Sequence, residues 1–242
     1  MSAPRDIATV GDIVARDFRT AAVFERFGIE FCCRGRRSLD DACRAAAVDP
    51  AVLLRELDAL PPASADDDVT EWPLDRLIDH VLSCHHTYAR SAMPVIAKHL
   101  ARLEAVHGQR HPELTRIAAY FGQVTLDLEQ HMRKEEHLLF PYVKELSILR
   151  ATGQALASSP FGTVENPIRM MEREHVEAAD GLRLIRELTS GYATPADGGD
   201  TYGVCMAELD RFERDLRRHV HLENNVLFPR TVALERELGA QA

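Results

Sequence analysis

From residue 73 to 238 apolar positions recur in steps of three and four, with almost no β-branched or period-two alternation, which predicts helices rather than strands. Gly-, Pro- and Asp-rich breaks near residues 107–112, 151–167 and 190–200 divide the stretch into four segments. The first seam runs Leu82, His86, Ala89, Met93, Ile96, Leu100, and the second Val124, Leu128, His131, Glu135, Leu138, Tyr142. The third runs Ile168, Met171, His175, Ala178, Leu182, Ile185, and the fourth Leu209, Phe212, Leu216, His219, Glu223, Val226. Each seam must be buried against another, so the pattern predicts an all-α, four-helix up-down bundle over 73–238. Pro94 should bend the first helix, and Pro141 and Pro229 should bend or end the second and fourth.

Ahead of the bundle, residues 61–68 read Pro-Pro-Ala-Ser-Ala-Asp-Asp-Asp, the composition of a solvated linker, and 61–72 is expected to separate two domains. Within 1–60, Val10 to Phe27 reads as one or two short helices, Ser38 with Asp41 marks a helix start, and Asp49-Pro50 pairs an N-cap with a first-turn proline. A helical domain of that size lies near the lower limit for independent stability, so packing against a partner or a second copy, as in a homodimer, is expected.

The formal net charge of −9 excludes the clustered basic surplus that nucleic-acid binding needs. No run is apolar enough to span a membrane, and Met-Ser-Ala-Pro-Arg-Asp does not open a signal peptide. Five cysteines, an odd number without a paired framework, fit reduced thiols, and the expected compartment is the cytoplasm.

Candidate chemistry lies where polar residues interrupt the seams. His131-x-x-x-Glu135 is followed by Leu139-Phe140-Pro141, and His219-x-x-x-Glu223 by Leu227-Phe228-Pro229, with identical spacing. Residues four apart share a helix face, so each His/Glu pair can reach one point. His86 and His175 stand at nearly equal distances ahead of the two pairs, which reads as a duplicated helix hairpin. His85 adjoins His86, but placing it on the seam would bring Ala92 and His99 with it, so the seam selects His86.

Burying such a set without a counter-charge costs several kcal/mol for each carboxylate. A metal pair resolves this, and mixed imidazole–carboxylate ligation suits iron or manganese better than structural zinc. The expected centre is a non-haem pair of iron ions bridged by Glu135 and Glu223, each ion taking two of His86, His131, His175 and His219. Open positions would hold an oxo or hydroxo bridge and a small ligand such as NO or O2. Asp127 and Glu174 either orient ligands or are solvated helix carboxylates. His80, His99, His107, His111, His137 and His221 are expected at the surface or in supporting roles.

In the N-terminal part Cys32 and Cys33 are adjacent, too close for a comfortable disulfide. Arg34, Arg36 and Arg37 follow and should favour thiolate, making Cys32 and Cys33 candidates for redox chemistry, nitrosylation or soft-metal transfer. The other reading is that one or both thiols pack in the small core after Phe31. Cys43, Cys84 and Cys205 are expected to pack as small hydrophobes.

Phe27-Gly28-Ile29-Glu30-Phe31-Cys32-Cys33 resembles the N-terminal double-cysteine motif of the repair-of-iron-centres (RIC) family. Asn166-Pro167-Ile168, Glu174-His175, His131-x-x-x-Glu135-Glu136 and His219-Val-His-Leu-Glu223-Asn-Asn-Val-Leu-Phe-Pro resemble its hemerythrin-like portion. The resemblance implies a hemerythrin-like bundle, with His86, His131, Glu135, His175, His219 and Glu223 as di-iron ligands. It further implies repair of iron–sulfur clusters damaged by nitric oxide or peroxide, through transient contact with the damaged proteins. Nitric oxide reduction at the same site, and an O2 or NO carrier or sensor, are the competing readings, and ligand spacing does not separate the three.

Overall fold

A computed structural model of the protein describes residues 9–62, 68–156 and 158–240. The first eight residues and 63–67 of the expected linker lie outside the described residues. Among those described, the chain is all-α, a helical bundle preceded by a small helical N-terminal region; the one extended pairing is a bridge between Thr9 and Ser38. No described helix is long and apolar enough to cross a membrane.

The N-terminal helices are α1 (Val10–Arg16), α2 (Thr20–Arg26), α3 (Leu39–Ala46) and α4 (Pro50–Asp58). Their starts follow from local chemistry. Thr9 and Asp12 form a reciprocal capping box on α1, Ser38 accepts from the Asp41 amide ahead of α3, and Asp49 accepts from the Ala51 amide with Pro50 in the first turn of α4. Then follow α5 (Leu74–His80), α6 (Thr87–His107), α7 (Glu113–Lys134), α8 (Phe140–Thr152), α9 (Glu165–Leu188), α10 (Gly199–Leu222) and α11 (Phe228–Gly239).

Three junctions between these helices are π-helical turns: Val81–His86, Glu135–Leu139 and Glu223–Leu227. The last two have a cause in the sequence. Pro141 and Pro229 have no N–H, and their rings crowd the carbonyl four residues back. The ladder resets just before each proline: the Phe140 amide donates to the Glu135 carbonyl and the Phe228 amide to the Glu223 carbonyl, five residues back in both cases. The α-helix then resumes through α8 and α11, so the prolines neither end the rods nor merely bend them; they change the register. Pro94 sits inside an uninterrupted α6.

The register change corrects two seam positions. Leu138 is 55% exposed while Leu139 is 1% exposed, and Val81 is buried where Leu82 was expected. A π turn needs an extra residue to bring the chain round to the same face, so the inward position moves by one. The remaining seam residues of all four segments are buried as predicted.

Packing divides the chain into two compact units that do not follow sequence order. One comprises Met1–Asp79, Val143–Glu165 and Arg218–Ala242, the other His80–Tyr142 and Asn166–Arg217. In the first, Phe24, Phe31, Leu53, Phe228 and Leu238 are buried, and the sealed Glu235 carboxylate accepts the Val164 amide at 2.9 and 3.0 Å and the Thr163 hydroxyl at 2.9 Å. In the second unit α6, α7, α9 and the first part of α10 bury their apolar stripes, with Phe121 and Phe212 meeting edge to face at 5.5 Å.

Candidate metal centre

Four predicted ligands lie in the second unit. His86 closes its π turn, His131 sits in the last turn of α7, Glu135 opens the next π turn and His175 lies midway along α9. All four are buried, and Glu135 is fully so. One Glu135 oxygen lies 3.3 Å from His86 Nε2 and the other 3.3 Å from His131 Nε2, so this carboxylate faces an imidazole on each side. His131 Nε2 and His175 Nε2 are 2.9 Å apart. His131, Glu135 and His175 each offer a ligand atom, all within 4.8 Å of one another.

Those spacings carry chemical meaning. Ligand atoms at right angles around an ion with bonds of about 2.1 Å are about 3 Å apart. Two imidazole nitrogens at 2.9 Å, beside carboxylate oxygens at 3.3 Å, have the separations of neighbours around one cation. The donor set therefore fits a metal.

An outer ring fixes the imidazoles. The ionised carboxylates can only accept, so His86 Nδ1–H donates to Glu136 Oε1 at 2.7 Å and His131 Nδ1–H donates to Glu174 Oε2 at 2.9 Å. Both tautomers are thereby set with Nε2 bare toward the interior. Arg90 clamps Glu136 with bonds of 2.7 and 3.0 Å, and Lys134 holds Glu174. The His131 bond, with Lys134 behind it, pulls the Glu174 carboxyl down to about 2 against the opposing effect of burial. Burial pushes the Glu136 carboxyl up, but Arg90 and His86 outweigh it and hold it below the ordinary value. Glu174 thus orients His131, while Asp127 instead accepts from Gln123 at 2.8 and 2.9 Å. Glu136 was missed in the sequence, where it reads as one more surface carboxylate beside Glu135. His85 is also buried, but its Nδ1 goes to Asp215 at 3.1 Å.

The first unit holds the other two predicted ligands. His219 lies in the last turn of α10 and Glu223 opens the following π turn, both buried, with Nε2 and Oε1 3.0 Å apart. The arrangement repeats that of His131 and Glu135: a His one turn ahead of a Glu, the Glu at the start of a π turn, and a proline beyond.

Two residues of the same segment face the N-terminal region. His221 is buried rather than superficial, with its ring centroid 5.8 Å from that of Phe18 and 5.7 Å from that of Phe31. Asn225 Nδ2 donates to the Phe31 and Cys32 carbonyls at 3.2 and 3.0 Å. Gly11 and Gly35 flank that amide so closely that a Cβ on either would lie 2.7 or 2.4 Å from Asn225 Oδ1. Side chains at these two positions would exclude the amide from the cysteine loop.

Of the two readings of the cysteine pair, the burial of Cys32 agrees with packing in the small core. Cys32 is buried, donates its thiol to Glu30 Oε1 at 2.7 Å and lies 3.9 Å from Cys33 Sγ. Its thiol pKa is raised rather than lowered, first by the hydrogen bond with Cys33, then by burial and by the Glu30 charge. All these influences act in one direction, toward the thiol form of Cys32. Cys43 and Cys205 are buried as expected, whereas Cys84 is exposed.

Residues 77–231 match the family described as the hemerythrin HHE cation binding domain, and residues 6–61 match a domain of unknown function, DUF542. Over 230 residues the chain is 32% identical to the iron–sulfur cluster repair protein YtfE of Musicola paradisiaca (strain Ech703), covering 93% of this chain and 96% of that one. It is 30% identical over 226 residues to the YtfE protein of Enterobacter sp. (strain 638), covering 93% and 97%. The chain belongs to the family of iron–sulfur cluster repair proteins. All six candidate ligands of this family member fall in the cation-binding match, and Cys32, Cys33 and both glycines beside Asn225 fall in the other.

Proposed function

We propose that the protein restores iron–sulfur clusters damaged by nitric oxide or peroxide, supplying iron to damaged cluster proteins from a labile pair of iron ions. His86, His131, Glu135, His175, His219 and Glu223 would hold the pair. The observation that carries this reading is the buried donor set spaced at 2.9–3.3 Å within each unit. When bound, the pair supplies redox-active iron able to take small ligands such as NO or O2.

The protein's own residues account for the rest. Glu136 and Glu174 keep the Nδ1 protons of His86 and His131, so the opposite nitrogens stay basic toward the interior. Arg90 and Lys134 hold those carboxylates ionised. The centre would thus be assembled from four imidazoles and two buried carboxylates, a set poorly matched to an empty apolar interior. Repair requires transient contact with cluster proteins, and the reading places the protein in the cytoplasm, where free thiols persist.

The test is to mix iron-loaded protein with an apo or nitrosylated cluster protein and follow recovery of cluster absorbance. Recovery above that given by an equal concentration of free iron is the expected result. Equal recovery defeats the reading. Multiple turnovers of NO to N2O with an electron donor would make the protein a reductase, and reversible gas binding without iron loss would make it a carrier or sensor.

A further inference from the structure

Asn225 is the third residue of the π turn Glu223–Leu227, and its side chain reaches 193 and 194 residues back to the cysteine loop. Its Nδ2 donates to the Phe31 carbonyl at 3.2 Å and to the Cys32 carbonyl at 3.0 Å. An amide nitrogen carries two hydrogens, enough for both oxygens at once. Those oxygens belong to the two peptide units that flank the Cys32 Cα, so together the bonds fix the backbone dihedrals that aim its thiol at Glu30. The far end of the loop is tied separately, with the Gly11 amide donating to the Gly35 carbonyl at 2.8 Å and the Val10 amide to the Arg37 carbonyl at 3.0 Å. At the cysteine end the tie is Asn225. That amide has room only because Gly11 and Gly35 lack a Cβ.

We propose that Asn225 is a positioning residue, a clasp that keeps the Cys32 thiol covered and passes the state of the His219/Glu223 pair to it. Glu223 opens the same turn two residues earlier, and a metal bound there favours the closed turn over any opened form. Loss of the metal loosens the turn, releases the amide and gives Cys32 to solvent beside the half-buried Cys33. The protein thereby offers both thiols to a partner only as its metal leaves. The coupling rests on the proposed metal role of His219 and Glu223, whereas the clasp does not.

The test is alkylation by N-ethylmaleimide, followed at each cysteine by peptide mass spectrometry, in full-length protein carrying Cys33→Ser so that Cys32 is read alone in its peptide. In metal-free protein, Asn225→Asp sets an oxygen that only accepts against the two carbonyls, and Gly11→Ala pushes the amide aside without altering it. Each should speed labelling of Cys32 by about tenfold or more, the effect of losing one or two hydrogen bonds. Cys43, buried in α3 of the same unit, should label at the parent's rate. Loading the parent with ferrous iron should slow Cys32 by a similar factor, and both substitutions should erase that difference at unchanged iron content. Unchanged Cys32 labelling in both variants, or an equal rise at Cys43, would overturn the clasp. Equal Cys32 labelling with and without bound iron would overturn the coupling while leaving the metal reading intact. Protein that takes up no iron would sink the metal reading and the coupling with it, and the metal-free comparison would still decide the clasp.

Discussion

His219 and His221 are two residues apart and do opposite things. His219 faces Glu223 at 3.0 Å, while His221 is buried near Phe18 and Phe31 and has its pKa pushed down to about 4 by burial, only partly offset by the Phe31 carbonyl. Because the folded state resists protonation of His221, its contribution to stability is intact above the ordinary histidine value of 6.5 and is lost as pH falls toward 4. A shift of that size corresponds to roughly 3 kcal/mol. Urea unfolding of the metal-free protein should therefore show His221→Leu losing less stability than the parent between pH 7 and pH 4; parallel losses would contradict this. At Glu136 the expectation concerns metal. Glu136→Gln keeps an acceptor for His86 but gives up the ion pair with Arg90, so iron should pass to a chromogenic chelator about 10- to 100-fold more readily, and unchanged transfer would remove Glu136 from the orienting role.

Legibility at this scale varied with the range of the interaction. His131 with Glu135 and His219 with Glu223 were readable because both partners lie on one helix, four residues apart. For Cys32 the sequence left a thiolate and a packed thiol both open, because Glu30 and Arg34 each lie two residues away and only the fold shows that Glu30 touches the sulfur. Asn225 was invisible because its partners are 193 and 194 residues away.

Among the elements, the bundle helices were legible in a period of three and four, including the breaks at 107–112, 151–167 and 190–200. The π turns were not, since a seam read at constant period assumes an uninterrupted α-helix. Their consequence is measurable. Leu139, at 1% exposure, should cost about 2–5 kcal/mol when replaced by Ala, while Leu138→Ala, at 55%, should change stability by less than about 0.5 kcal/mol. The reverse ranking in chemical denaturation would restore the unshifted register. Each π turn also begins or ends at a predicted ligand: His86 closes the first, and Glu135 and Glu223 open the others. Pro141 and Pro229 thus fix where the register changes, immediately after the two buried carboxylates.

For the molecule as a whole, the sequence is a cation-binding bundle with a small cysteine-bearing region ahead of it, and the packing ties that region to the C-terminal segment. The Phe31–Cys32 carbonyls hang on Asn225, two residues beyond Glu223. One segment therefore carries a candidate ligand pair and holds the cysteine loop. If two iron ions are the counter-charge proposed for these buried side chains, metal analysis with Mössbauer spectroscopy on protein purified anaerobically from iron-replete cells should find two irons per chain in a single magnetically coupled pair. Folded protein with its His and Glu residues intact but lacking that pair would refute the proposal.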